Sequence, residues 1–185
     1  MDDIVNLLPI AAFIALAAGL AVVLRGTGRI VARTREVELF RGSVKDLAAR
    51  VDASLGGAAG QIDAVRRRQV GPDTIVDTID AAKDAVARYI EEAKAIRGPR
   101  KAQRIRSDLV AELERSQRAL EMVEHGTSIM VNIRRGPREL EAQTAIKRGY
   151  LNLIHAREAF ARRALDAQNL TAGDDGAAHA EQPWQ

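Results

Sequence analysis

The densest run of one chemical type in this chain is basic. From Ala93 to Ser107 the sequence reads AKAIRGPRKAQRIRS, and Lys94, Arg97, Arg100, Lys101, Arg104 and Arg106 follow one another with no acid between them. Cations this close together suit clustered phosphate or carboxylate oxygens. One source is an anionic lipid surface, where each basic residue contributes about 1 kcal/mol. Another is an acidic protein partner. A solvated hairpin tip whose charges only complement helix ends needs the same residues, so a purely structural role stands beside the binding one.

Other chemistry is thinly represented. His125 stands one turn after Glu121, and His155 stands three residues before Glu158. Either pair could face a metal from a helix, but a di-metal site in a bundle needs several carboxylates and inward-pointing Glu-x-x-His pairs. That set is missing, and Glu121 with His125 serves as an ordinary helix-surface pair. The chain has no Cys, which removes thiol chemistry, disulfides and zinc knuckles. Gly26-Thr27-Gly28 lacks the further Gly and the Lys of a phosphate loop. No nucleophile sits in a recognisable motif. The expectation is therefore no catalytic residue, no cofactor, no metal and no small-molecule substrate. Nucleic acid is not an expected partner either. Aromatic residues are 3% of the chain, and none is interleaved with the arginines for base stacking.

The elements that must position the charges begin with an apolar run. Ile4 to Leu24 reads IVNLLPIAAFIALAAGLAVVL, with no charge. As a helix it extends roughly 30 Å, the thickness of a hydrocarbon core. Only Met1, Asp2 and Asp3 precede it, while Arg25, Arg29, Arg33 and Arg35 follow it before any acid. Basic flanks stay cytoplasmic, so residues 1–3 are expected outside, 4–24 across the cell membrane, and the bulk of the chain inside. A cleaved signal peptide would start basic and carry a shorter apolar core.

Beyond the anchor, three Gly-Pro pairs punctuate the chain: Gly71-Pro72, Gly98-Pro99 and Gly136-Pro137. Gly suits the left-handed position that ends a helix, and Pro suits the first turn of the next. Arginines precede each pair, where they complement the negative helix end. These cues predict helices over about 25–69, 73–97, 100–135 and 138–169. Apolar residues recur in steps of three and four: Ile75, Ile79, Ala82, Val86, Tyr89, Ala93 and Ile96 in the second helix, and Ile105, Leu109, Leu113, Leu120, Val123 and Met130 in the third. A broader stripe in the fourth runs through Ile146, Tyr150, Leu153, Ile154, Phe160, Ala161 and Leu165. The first stripe (Val37, Phe40, Val44, Leu47, Val51, Leu55, Ala58, Ile62, Val65) contains a stutter beside Gly56, Gly57 and Gly60.

The fold class that follows is all-α: one N-terminal transmembrane helix, then an antiparallel bundle or coiled-coil hairpin of about four helices over 25–170. Residues 171–185 (TAGDDGAAHAEQPWQ) carry no helical stripe and are expected to be a disordered acidic tail. Three expectations rest on this layout. The basic hairpin 94–106 points back toward the bilayer but stops roughly 30 Å short of it unless the first helix bends at Gly56–Gly60. Arg66, Arg67, Arg68, Arg134, Arg135 and Arg138 gather at the opposite end. Val37, Phe40, Val44 and Leu47 lie beyond the reach of a short second helix and are left to pair in parallel with a second copy.

The layout resembles the peripheral-stalk b subunit of bacterial ATP synthases, with a tiny outer N-terminus, one span, basic residues and a charged Ala-rich helix. That resemblance implies an unbroken helical stalk, from which the Gly-Pro breaks depart. The sequence favours a membrane-anchored helical scaffold or adaptor acting on a protein partner or a second copy of itself. The alternative is a lipid-surface or envelope-sensing protein using the hairpin 94–106.

Overall fold

A computed structural model describes the backbone over residues 2–132 and 138–171 and the side chains over 31–132 and 138–171. Among the described residues every regular element is helical: α1 (Asp2–Arg66), a 3-10 turn (Pro72–Ile75), α2 (Val76–Ala95), α3 (Ala102–Asn132) and α4 (Arg138–Gln168). By their internal contacts the residues form two units, Leu39–Leu170 and, separately, Met1–Glu38 with Thr171–Gln185.

Within Leu39–Leu170 the helices run up, down, up and down. Near the start of α2 the Thr78 hydroxyl donates to Gln61 Oε1 at 2.6 Å. Near its end Arg50 Nη1 donates to Glu92 Oε2 at 2.9 Å. Gly98, just past α2, lies against the Phe40 ring, so α2 is antiparallel to α1. Lys83 bonds Glu124 at 2.6 Å, and Arg106 donates to the Ile96 carbonyl at 3.1 Å, which sets α3 antiparallel to α2. The last helix closes the square. Arg163 reaches Asp108 of α3 at 3.5 Å, and Arg157 pairs with Asp52 of α1 at 2.8 Å. The end of α4 is fastened to α1 at Arg41, whose guanidinium donates to the Leu170 carbonyl. The Arg41 carbonyl in turn accepts from Gln168 Nε2 at 3.0 Å.

One apolar stripe from each helix fills the middle. Val44, Leu47, Val51, Leu55 and Ile62 of α1 are buried against Ile79 and Val86 of α2, Leu109, Leu113 and Leu120 of α3, and Ile146, Leu153 and Phe160 of α4. Each large side chain so covered contributes about 1.5–3 kcal/mol. Two polar side chains are buried with them, Ser116 and Thr127. Each donates to a carbonyl of its own helix, Ser116 to Glu112 at 3.0 Å and Thr127 to Glu124 at 2.8 Å, so neither is left without a partner.

The α3 and α4 backbones approach closely. A Cβ at Gly126 would stand 2.8 Å from the Ala142 carbonyl oxygen, and one at Gly149 would stand 2.8 Å from the Ala119 carbonyl oxygen. These two glycines let the backbones meet, and no other residue fits either place without a shift.

The structure revises several expectations. The left-handed position at the end of α1 is taken by Arg68 (φ 60°), not by Gly71, which is extended at φ −72° and ψ 154°. Gln69 N–H returns to the Ala64 carbonyl at 2.9 Å and completes a Schellman-type cap. Among the described glycines none has positive φ. Gly98 is required for a different reason: a Cβ there would lie 2.6 Å from Phe40 Cδ2. The backbone of α1 continues as unbroken helix through Gly56–Gly60. The chain folds back three times, unlike the single unbroken stalk that the layout resembles.

The expected self-association stripe is also corrected. Val37, Phe40, Val44 and Leu47 are 4%, 1%, 0% and 0% exposed in the single chain. Gly98 and Ala102 reach the level of Phe40, and α4 extends to the level of Arg41, so the stripe has no uncovered face for a second copy.

In the terminal unit, α1 is helical from Asp2, and Arg33 and Arg35 are exposed. Among the described residues no helix is long and apolar enough to cross a membrane. The run Ile4–Leu24 and the side chains of Arg25 and Arg29 lie outside the described side chains. Gly136-Pro137, Arg134, Arg135 and the tail from residue 172, with Trp184, lie outside the described residues.

Candidate protein-interaction surface

The hairpin 94–106 does not present six equivalent cations. Lys94 donates to the Glu91 carboxylate at 2.8 Å, and that bond raises the lysine pKa above its ordinary value. Arg106 is half-buried and occupied by the Ile96 carbonyl, where it satisfies a carbonyl freed at the end of α2. Lys101 also has a partner. Arg97, Arg100 and Arg104 are exposed, and no described residue pairs with them. The tip therefore offers three cations. It sits beside Phe40, where a cavity of about 150 Å³ is lined by Phe40, Ile96, Pro99 and Arg100 among others.

At the other end Arg66, Arg67 and Arg68 each approach an acid of the fold. Asp63 accepts from Arg66 Nε at 2.8 Å and pairs with Arg67 at 2.7 Å. The Arg66 bond is the main reason its carboxyl is held below the ordinary aspartate range. Arg68 approaches Glu139 at 3.6 Å. Arg66 also lies over the Tyr150 ring at 5.2 Å, which adds a cation–π contact between α1 and α4. Arg138 is exposed at the start of α4. The pairs seen in sequence as possible metal ligands are surface residues: Glu121, His125, His155 and Glu158 are all exposed. Among the described residues no group of three His, Cys, Asp or Glu is placed to hold a metal ion.

The surface that stands out includes Leu165, which the sequence had assigned to the core stripe of the fourth helix. Leu140, Leu151 and Leu165 of α4 are 71%, 43% and 63% exposed. They stand about three and about four turns apart, within roughly 40° of one another around the helix. The buried side of α4 is the opposite one, carrying Ala142, Ile146, Gly149, Leu153, Ala156, Phe160 and Ala164. Ile154 borders the outer stripe and is half-buried; Ala161 beside it is exposed. Leu165 and Ala161 continue into a groove of about 300 Å³ between α1 and α4. Ala48, Val51, Phe160 and Ala164 line its apolar part, with Lys45, the Asp52–Arg157 pair and Gln168 around them.

Leu165 and Ala161 join the groove, while Leu151 and Leu140 lie farther along the same side with Glu158 and Lys147 between them, and exposed apolar side chains beside a groove mark contact sites. The helical stripe in the sequence ran too wide because Leu165 and Ala161 share their heptad-like spacing with true core positions. Only the direction of the neighbouring helices separates the two sets. Leu140 and Leu151 carried the usable signal, standing outside that stripe on the same side of the helix. No protein-family model, characterised protein or solved structure matches this chain, so its surface chemistry alone bears on its role.

Proposed function

We propose that this chain is a non-enzymatic, single-pass, membrane-anchored scaffold or adaptor whose cytoplasmic four-helix bundle acts through protein contacts. The observation that carries this reading is the outward leucine face of α4 with its adjoining groove. Three large apolar side chains on one helix face oppose solvation, and covering each fully is worth about 1.5–3 kcal/mol. The anchor rests on the uncharged run Ile4–Leu24 and the arginines that follow it. The tests use the full chain in native membranes. A photocrosslinking residue at Leu151 should yield a covalent protein adduct, and a reporter active only in the cytoplasm should be active after Leu170. Lipid adducts alone at Leu151, or activity of a periplasm-only reporter at Leu170, would overturn the corresponding part.

A further inference from the structure

The outer face of α4 is self-complementary when read against a second copy running the other way. We propose that α4 pairs antiparallel with α4 of a second copy of this chain, about a two-fold axis between Asn152 and Leu153. This rests on reading α4's outer face as a protein-contact surface and names its occupant.

The positions equidistant from that axis match in chemistry. Leu140 falls opposite the other copy's Leu165, and Leu151 falls opposite its Ile154. Thr144 meets Ala161, two small side chains that allow close approach. Lys147 meets Glu158, so the two-fold places this ion pair twice, once on each side of the centre. Lys147 and Glu158 are both exposed, and within the chain no described residue pairs with either. Arg162 falls opposite the neutral Gln143.

Charge also disfavours two of the alternatives. A parallel, in-register pair would set Lys147 on Lys147 and Glu158 on Glu158, and like charges facing each other are penalised. Sliding the antiparallel partner by one turn sets Lys147 on Arg162 and separates the leucines from their counterparts. An isologous two-fold contact is the commonest way for a chain to pair with itself. The axis crosses α4 at right angles and therefore makes the two bundles point in opposite directions. Bundles standing upright side by side from one bilayer face could not pair this way. Bundles facing each other, as from two apposed bilayers, could.

The test is disulfide trapping in this Cys-free chain. Full-length Leu140→Cys and Leu165→Cys variants carry tags of different size and are mixed in detergent, where the anchors are free to take either direction. Oxidation should give the mixed Leu140→Cys/Leu165→Cys dimer as the dominant product and little homodimer of either variant alone. A second measurement guards against loss of pairing through the leucine changes. Lys147→Glu should weaken dimerisation by about tenfold, and Lys147→Glu with Glu158→Lys should restore it. A dominant Leu140→Cys homodimer, or a charge swap that fails to restore a broken dimer, overturns the antiparallel pair. A chain that stays monomeric throughout overturns pairing by a second copy. It leaves the adaptor reading to the Leu151 crosslink, which would then carry a different protein.

Discussion

Where α4 meets α3, backbone faces backbone. Gly126 sits over Ala142 and Ile146, Gly149 sits over Ala119 and Val123, and neither position has room for one more carbon. Where α4 meets α1, long side chains bridge the two helices beside a groove. Arg157 reaches Asp52 at 2.8 Å across a groove of about 300 Å³, and Gln168 reaches the Arg41 carbonyl. The same helix is thus locked on one side by the absence of side chains and bridged on the other by long ones. Close approach of small residues gives rigidity and a fixed register. Bridging leaves space, and that space adjoins the exposed leucines. The contact surface lies on the less tightly built side, as expected if a partner rather than the fold is to fill it.

The strongest way to break this contrast is to add volume on both sides. Gly149→Val should destabilise the bundle by about 3 kcal/mol, because a branched side chain must displace the Ala119 carbonyl and Val123. The matched change on the open side, Ala48→Met, should alter stability by less than about 1 kcal/mol, since the groove has room for it. Urea unfolding followed by circular dichroism reads both, and equal costs would mean that the two interfaces are equally tight.

A smaller effect is expected from the bridge itself. The Arg157 side chain is 32% exposed and Asp52 65% exposed, so Arg157→Ala should cost about 0.5–1 kcal/mol. A double-mutant cycle with Asp52→Ala isolates the pair. A coupling above about 2 kcal/mol would make the bridge a structural lock like the glycine seam.

The smallest effect is electrostatic and falls at the end of α1. Asp63 is held below the ordinary aspartate range chiefly by its hydrogen bond from Arg66, whose guanidinium also covers Tyr150 of α4. A carboxyl lowered on folding stabilises the folded state above the ordinary aspartate range and loses that contribution as pH falls through the lowered value. Arg66→Gln should therefore move the Asp63 titration, followed by NMR, back up toward ordinary values. An unmoved titration would assign the effect to Arg67.

Much of the bundle was legible in the sequence because its stripes are regular. Ile75, Ile79, Ala82, Val86, Ala93 and Ile96 are all buried, as their spacing predicts. So are Leu55, Ala58, Ile62 and Val65 across the stutter, which interrupts the repeat without breaking the helix. Pro72 opens a 3-10 turn ahead of α2, where a helix from residue 73 was expected, and the cap falls on Arg68 and not on Gly71. What could not be read were pairwise facts. Gly126 and Gly149 are important only once α3 and α4 are known to face each other. The coverage of Phe40 and Val44 depends on how far α2 to α4 extend, which periodicity does not report. The basic run looked uniform, yet Arg106 and Lys94 are occupied by neighbours that only folding brings close.

The fastening of α4 to α1 at Arg41 has a consequence in time. Arg41 and Leu170 are 129 residues apart. A ribosome adding 5–20 residues per second delivers the second partner roughly 6 to 26 s after the first. The α1 stripe is thus made early and covered last, while α3 and α4, joined by a short connection, can close locally as soon as they emerge. A nascent chain would display Val44, Leu47 and Val51 throughout that interval. Chaperone capture should accordingly concentrate on chains stalled before residue 138 and fall away once α4 has been released.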